Sequence, residues 1–485
     1  MVLRHSPLPG FSYRLGTTFT LMLGLGLIAC GGPQQGTAPG QETKTLDPEA
    51  ILQAVADIEG FHPPAARRLT AEALAQLSPA AGENTEAATL LLNRALDLRP
   101  NYVDTLLLKA RLSAKSGDVE TALATVETLA GLGHHLPLAE DPGLKSLHEE
   151  ARFQEALNKG PEPKAVSSEA FQLNQKDLIP ESVVFDAATQ TFFISSVRHR
   201  KIVRFASDSP DQVEDFLVSS PDSEVFAVLG MAIDSESRLL WAVSASGPHM
   251  MDFSPEAPNR SELLGIDLDS GDIRHRLVPP ATPAYRLNDV TVAPDGTVYA
   301  TSSTPPGQVY VAQGRDESPV LQLFGKPGLR SPQGLAVSED GTTLFVADYS
   351  FGIAAHQLPS GERIWLEEPE GFFLSGVDGL TQVGQDLIAI QNGVRPHRVL
   401  RLTPDLDARG FSHAEILEQK LPQYSEPTLG TFLPGDDGSE GQFLYVANSQ
   451  WDRFDRNHQL PPIEELAAPI LMSLPLTSTS AETAQ

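Results

Sequence analysis

Cysteine is almost absent: the chain has 485 residues and one cysteine, Cys30, so no intramolecular disulfide is available to it. Basic residues are also scarce, with 35 Lys and Arg against 63 Asp and Glu and a formal net charge of −28. A nucleic-acid partner needs a basic face to neutralise phosphates, so that class of function is excluded. The acidic residues are spread along the chain and not gathered into a tail, which reads as a solvated surface. No cluster of His and Cys at zinc-ligand spacing occurs. What is present is 41% hydrophobic residues, enough for ordinary cores, in a chain long enough for about two or three folding units.

Near the N-terminus an apolar run from Phe19 to Ala29 follows Arg4 and Arg14. It is too short to span a bilayer as a permanent helix and suits a secretory signal. The run ends in Leu27-Ile28-Ala29-Cys30, which resembles the bacterial lipobox. That resemblance implies cleavage before Cys30 and a diacylglycerol on its thiol; an ordinary signal peptide with an incidental cysteine is the alternative. Gly31-Gly32, with no acidic residue in their place, resembles outer-membrane sorting in Gram-negative lipoproteins. The expectation is a signal peptide over 1–29 and a lipidated cysteine with a flexible tether over 30–46, rich in Gly, Gln, Pro and Thr. The expected location is the bacterial cell envelope, outside the cytoplasm, with the membrane as partner through Cys30 and the outer membrane preferred over the inner.

From 47 to 160 apolar residues recur at helical spacing, as in Ala87, Leu90, Leu91, Ala95 and Leu96. Breaks fall at Pro100, at Gly117-Asp118, and at Gly131 with Gly133. The string running through Asn101-Tyr102, Ala110, Gly117-Asp118 and Ala122-Leu123 resembles the tetratricopeptide repeat, with a plain helical bundle as the alternative. Such a segment is expected to dock a protein partner or to act as a spacer.

After Pro161 the period changes. Short apolar runs separated by Asp-Gly, Ser-Gly and Pro turns form a unit recurring at roughly 45 residues, with one longer interval near Pro248–Asn259. About six units fit between 165 and 476, which predicts a six-bladed β-propeller, with a sandwich or barrel as the alternative. The fold class is therefore multidomain α and β: a short α-helical, tetratricopeptide-like segment, then an all-β six-bladed propeller, then a disordered tail over 477–485. Closure is assigned to Phe171–Leu173 or to Ile470–Leu474. Leu264–Leu268 and Ile353–Leu358 are read as outer strands.

In a propeller the residues leading into each innermost strand converge on the central channel. At that point stand Glu181, Asn288 with Asp289, Gln333, Asp378 and Glu426, all carrying side-chain oxygens. A ring of carboxylate and amide oxygens suits a hard divalent cation, Ca²⁺ foremost. Each residue also fits a strand-entry turn, where the side chain bonds local backbone. Asp295-Gly296 and Asp340-Gly341 are read as hairpin turns only.

These motifs, between Pro180 and Trp451, resemble the gluconolactonase and regucalcin-like family of six-bladed propellers (the SMP-30/gluconolactonase/LRE-like region), with paraoxonases and strictosidine synthases as more distant relatives. The resemblance implies Glu181, Asn288 and Asp378 as metal ligands, with Gln333 where the family has an asparagine. Glutamine keeps the amide oxygen but adds a methylene, so ligation there requires the metal or the backbone to shift. The resemblance further implies hydrolysis of a lactone or ester on a divalent metal, with Asp378 a candidate for activating water. His199 and His249 follow second strands and are read as packing or surface residues. The alternative function is a non-catalytic propeller and helical-repeat module that binds a ligand or protein partner at the cell envelope.

Overall fold

A computed structural model describes residues 47–79, 82–134, 136–280, 286–435 and 441–476. The expectations for the signal peptide, Cys30, the tether and the tail after 476 lie outside these residues.

Helices come first: α1 (Pro48–Ala54), α2 (Pro63–Gln76), α3 (Thr85–Leu98), α4 (Val103–Ser116), α5 (Val119–Gly131) and α6 (Ala151–Asn158). Their ends follow helix chemistry. The side chains of Asn84 and Asp118 accept first-turn N–H groups from Ala87 and Thr121, and Gly117 ends α4 in the left-handed region at φ 80°. Ala66, Ala73, Ala88, Ala95, Ala110 and Ala122 are fully buried, and their small side chains let neighbouring helices approach closely around Leu69, Leu91 and Leu92. The hydroxyls of Thr70 and Thr105, 2.6 Å apart, join α2 to α4. Among the described residues no helix is long and apolar enough to cross a membrane.

The rest of the chain forms six four-stranded antiparallel sheets. Their innermost strands are Val183–Asp186, Ala227–Asp234, Leu287–Val292, Pro332–Val337, Val377–Val383 and Gly430–Pro434, which we number blades 1 to 6. Each touches the next, and the sixth touches the first, so the sheets close a six-bladed ring. Blade 6 is shared between the chain ends: Gly430–Pro434, Gly441–Val446 and Ile470–Leu476 are completed at the rim by Ser168–Gln172. Both segments named for closure thus serve, paired with each other in the register Ser168 to Ser473. Asp295 and Asp340 are turn residues as expected, accepting the Thr297 and Thr342 N–H groups at 2.9 and 3.0 Å.

One sequence expectation needs correcting. Leu264–Leu268 and Ile353–Leu358 belong to third strands, not outermost ones. The rim strands of those blades are Ile273–Leu277 and Arg363–Trp365, whose sequences IRHRL and RIW are short, interrupted by basic residues and partly exposed, and so carry no apolar run long enough to read. The long interval near Pro248–Asn259 is a loop between the second and third strands of blade 2, and a second long loop joins Val446 to Ile470 in blade 6.

First and second strands of each blade are joined by a hairpin at the bottom, so strand-one entries and strand-two exits share the top face. The helices sit on that same face, against blades 4 and 5. Arg99, after α3, reaches Ser350, Glu368 and Ser375, Asn101 donates to the Phe372 carbonyl at 2.7 Å, and His134, after α5, lies 3.4 Å from Arg398.

Candidate functional site

The top-face entries bring carboxylates from four blades into one electrostatic neighbourhood. Burial raises the Glu181 carboxyl well above its usual range, and the charges of Asp378, Glu426 and Asp289 raise it further. Glu181 nonetheless keeps some accessible surface, as a group lining an internal channel does. Burial lifts Asp378 to about 6 against the Asn392 hydrogen bond. It lifts Asp289 to about 8, aided by Asp378, and Glu426 to about 7, aided by Asp452 and Asp378. Residues separated by hundreds of positions in sequence therefore repel one another across a shared low-dielectric space.

Fixed hydrogen bonds orient the proposed ligands. Trp451 Nε1 donates to Glu181 Oε2 at 2.6 Å, and Asn392 Nδ2 donates to Asp378 Oδ2 at 2.6 Å. Asn288 Nδ2 donates to the Pro332 carbonyl at 3.1 Å, which leaves the amide oxygen as its acceptor. In each side chain one polar atom is anchored and an oxygen remains. An uncompensated carboxylate cluster with spare oxygens fits a hard divalent cation. The carboxylates alone do not form a cage: among the described residues no three His, Cys, Asp or Glu side chains gather closely enough to hold a metal. A cation held here would need the amide oxygen of Asn288 beside Glu181 and Asp378.

Gln333 is likewise anchored through its amide nitrogen and keeps its amide oxygen. Its amide nitrogen turns back to Ser331 Oγ at 3.3 Å, and its backbone carbonyl accepts from the Thr301 hydroxyl at 2.7 Å. The hydrogen bonds of its side chain stay within its own turn. Asp289 holds blades together, since the backbone N–H groups of Val290 and Leu335 bond it. Blade 2 presents Leu229-Gly230 at this level, and a Cβ on Gly230 would lie 1.9 Å from Asp289 Oδ1 and 2.7 Å from Asp289 Cα. Gly230→Ala should therefore cost about 1–3 kcal/mol of stability, read as a lower urea midpoint.

The pKa directions give a second expected result. A carboxyl whose folded pKa lies above its unfolded value near 4 stabilises the fold at low pH and loses that contribution as pH rises through the folded pKa. With Asp378, Glu426 and Asp289 at about 6, 7 and 8, metal-free stability should fall most clearly between about pH 7.5 and 8.5, where Glu426 and Asp289 lose their last protons. The slope should reach about 1 kcal/mol per pH unit. Histidines oppose it below about pH 7.5: His134, His249 and His397, at about 3, and His356, at about 4, are neutral in the fold. In the unfolded chain they are half protonated near about 6.5 and become largely neutral only above about 7.5. Urea melts at three pH values in chelator measure the slope, and saturating Ca²⁺ should flatten it.

His199 is a fastener, its Nε2 lying 3.0 Å from Asp177 Oδ2. His249 is nearer the site than its sequence position suggests. It packs edge-on against Trp451, with ring centroids 4.8 Å apart, and its Nε2 lies 3.0 Å from His458 Nδ1. Trp451, Asn392 and Tyr349, whose hydroxyl donates to Asn392 Oδ1 at 3.1 Å, are the supporting residues that sequence reading missed. A signal for Asn392 existed: a polar residue recurs at or just after second-strand exits, as Ser196, Asp348, Asn392 and Asn448. Three of these bond backbone groups of loops, and Asn392 reaches a channel carboxylate.

The chain is similar in structure to a gluconolactonase from Xanthomonas campestris, with 17% identity and a TM-score of 0.42 over 65% of this chain and 97% of that one. It is similar also to a calcium-binding protein, regucalcin, from Agrobacterium tumefaciens, with 16% identity and a TM-score of 0.42 over 63% and 93%. A third is the allergen Mala s 1 of Malassezia sympodialis, with 14% identity and a TM-score of 0.46 over 64% and 96%. No curated protein matches the chain in sequence. Residues 179–356, from the entry of blade 1 into the third strand of blade 4, match the family described as the SMP-30/Gluconolactonase/LRE-like region, and the propeller carries that region.

Proposed function

We propose that this chain is a lipid-anchored, extracytoplasmic protein of the bacterial envelope whose propeller holds a divalent cation, Ca²⁺ by preference, and hydrolyses a lactone or ester. The observation that carries the reading is that Glu181, Asp289, Asp378 and Glu426 are buried within electrostatic reach of one another, each raised in pKa, with Arg395 beside Glu426 the one opposing cation among the described residues. Glu181, Asn288 and Asp378 would hold the cation, with the Gln333 amide oxygen as a fourth donor if the longer side chain is accommodated. When bound, the metal supplies Lewis-acid polarisation of a carbonyl oxygen. The protein's own part is positional. Trp451 fixes Glu181 and Asn392 fixes Asp378, which leaves one oxygen of each carboxylate to face the cation and puts Asp378 beside the water to be activated.

The lipid on Cys30 supplies the membrane attachment in this reading. The helices, read as tetratricopeptide-like from the Gly117-Asp118 turn and the buried alanines, offer a surface for a protein partner on the side turned away from the blades.

The test is calorimetric melting with Ca²⁺ and with a chelator, followed by turnover of lactones and aryl esters. Free Ca²⁺ at about 100 times its Kd should stabilise the fold by about 2.7 kcal/mol. A melting curve indifferent to Ca²⁺ sinks the metal site, and a Ca²⁺ shift without turnover sinks the hydrolase.

A further inference from the structure

A continuous polar path runs from the helices to the channel. Arg99 is fully buried although it follows α3 at the surface of the helical unit. Its Nη2 donates to Glu368 Oε1 at 2.6 Å and to Ser375 Oγ at 2.8 Å, its Nε to Glu368 Oε2 at 3.3 Å, and its Nη1 to the Ser350 carbonyl at 3.2 Å. The rings of Tyr102 and Phe373 flank the guanidinium at 4.8 and 5.0 Å. Ser375 Oγ in turn donates to the Ser350 carbonyl at 2.8 Å, and Glu368 Oε1 accepts the Leu374 N–H at 2.9 Å. One arginine therefore ties together two top-face turns: the exit of the second strand of blade 4, at Ser350, and the loop entering blade 5.

Both turns lead to Asp378. The entry loop ends one residue before Val377-Asp378. On the other turn, Tyr349 precedes Ser350, accepts the Gly376 N–H at 2.8 Å, and donates its hydroxyl to Asn392 Oδ1 at 3.1 Å. Asn392 then donates to Asp378 Oδ2 at 2.6 Å and to the Pro427 carbonyl at 3.0 Å, next to Glu426. Its amide has one acceptor and two donors in use, so its orientation is determined. The path has no slack: a Cβ on Gly393 would lie 2.6 Å from the Tyr349 hydroxyl oxygen and 2.5 Å from Gly376 Cα. Only glycine lets the ring, the loop and the strand exit pack together there.

We propose that Arg99 is a positioning residue for Asp378, acting through Ser350, Tyr349 and Asn392, so that the helical unit is a working part of the channel site as well as its neighbour. The inference rests on the reading of Asp378 as a cation ligand. Outer partners that orient a ligand typically change metal affinity about 10- to 100-fold when removed. Arg99→Lys keeps the charge but loses the planar fork that spans Glu368, Ser375 and Ser350. Tyr349→Phe removes one hydroxyl from the middle of the path.

Isothermal titration of the full-length chain in detergent with CaCl₂ tests this. Arg99→Lys and Tyr349→Phe should each weaken Ca²⁺ binding about 10-fold, and the double variant should bind no worse than the weaker single one, because both cut the same path. Thr70→Val, which removes a hydrogen bond inside the helices away from the path, should lower the melting temperature and leave Ca²⁺ affinity unchanged. Wild-type affinity in both path variants, or losses that add in the double variant, overturns the inference while the metal site stands. Absence of Ca²⁺ binding in the wild type overturns the metal site, and the positioning role with it. Should Arg99→Lys fail to fold, Tyr349→Phe against Thr70→Val carries the same decision.

Discussion

Asp378→Asn should make the metal-free protein more stable and deaf to Ca²⁺ at the same time. The asparagine keeps an oxygen for the Asn392 N–H, now 2.6 Å from Asp378 Oδ2, so the local geometry survives. It removes one charge from a buried cluster in which Asp378 itself raises Glu181, Asp289 and Glu426. Relief of that repulsion stabilises the apo fold most at pH 8, where the wild-type carboxylates are more fully ionised. Cation binding loses one of two charged ligands. The melting shift with Ca²⁺ should vanish, and lactone or aryl-ester turnover should fall by about 10²-fold or more if several kcal/mol of carbonyl polarisation are lost. Calorimetry with and without Ca²⁺ at pH 6.5 and 8 reads both effects. A variant that is less stable than the wild type and still responds to Ca²⁺ would remove Asp378 from the site.

The second large effect lies at the seam between helices and blades. Glu368→Ala should destabilise the chain by about 3–5 kcal/mol, because it leaves the Arg99 guanidinium buried without its counter-charge. Arg99 and Glu368 are 0% and 2% exposed at their side chains, so water cannot take the carboxylate's place. Replacing both, as Arg99→Met with Glu368→Leu, should recover part of the loss, since a buried ion pair and an apolar pair of similar volume are close in free energy. Denaturant melts of the three variants decide it. A single variant no worse than the double would mean that the pair is hydrated in solution.

Local signals in the sequence foretold the elements well, because each arises from neighbours in the chain. The Gly117-Asp118 turn, the stop at Pro100, the Asp-Gly hairpins and the recurrence near 45 residues are all short-range chemistry. The ring positions Glu181, Asp289, Asp378 and Glu426 were legible for the same reason: they hold one place in a repeat. The supporting residues were not. Trp451 reaches Glu181 from a loop 270 positions away, and Arg99 reaches Glu368 across 269. No periodicity encodes such meetings. Gln333 shows how a repeat position combines both readings, since its amide nitrogen bonds Ser331 in the same turn and its amide oxygen is left over. The rim strands Ile273–Leu277 and Arg363–Trp365 escaped because they are short and lie partly exposed at the sheet edge.

Ring closure by Ser168–Gln172 against Ile470–Leu476 has a consequence for how the molecule is made. The rim strand Ser168–Gln172 precedes the inner strands of all six blades and must wait, unpaired, until Ile470–Leu476 has been translated, about 300 residues later. A chain stopped short of Ile470 would leave an open β-edge on each side of the gap, ready to pair with another molecule. Completion of the circle thus follows translation of the other five blades, and a nascent chain interrupted before Ile470 is the species most exposed to aggregation.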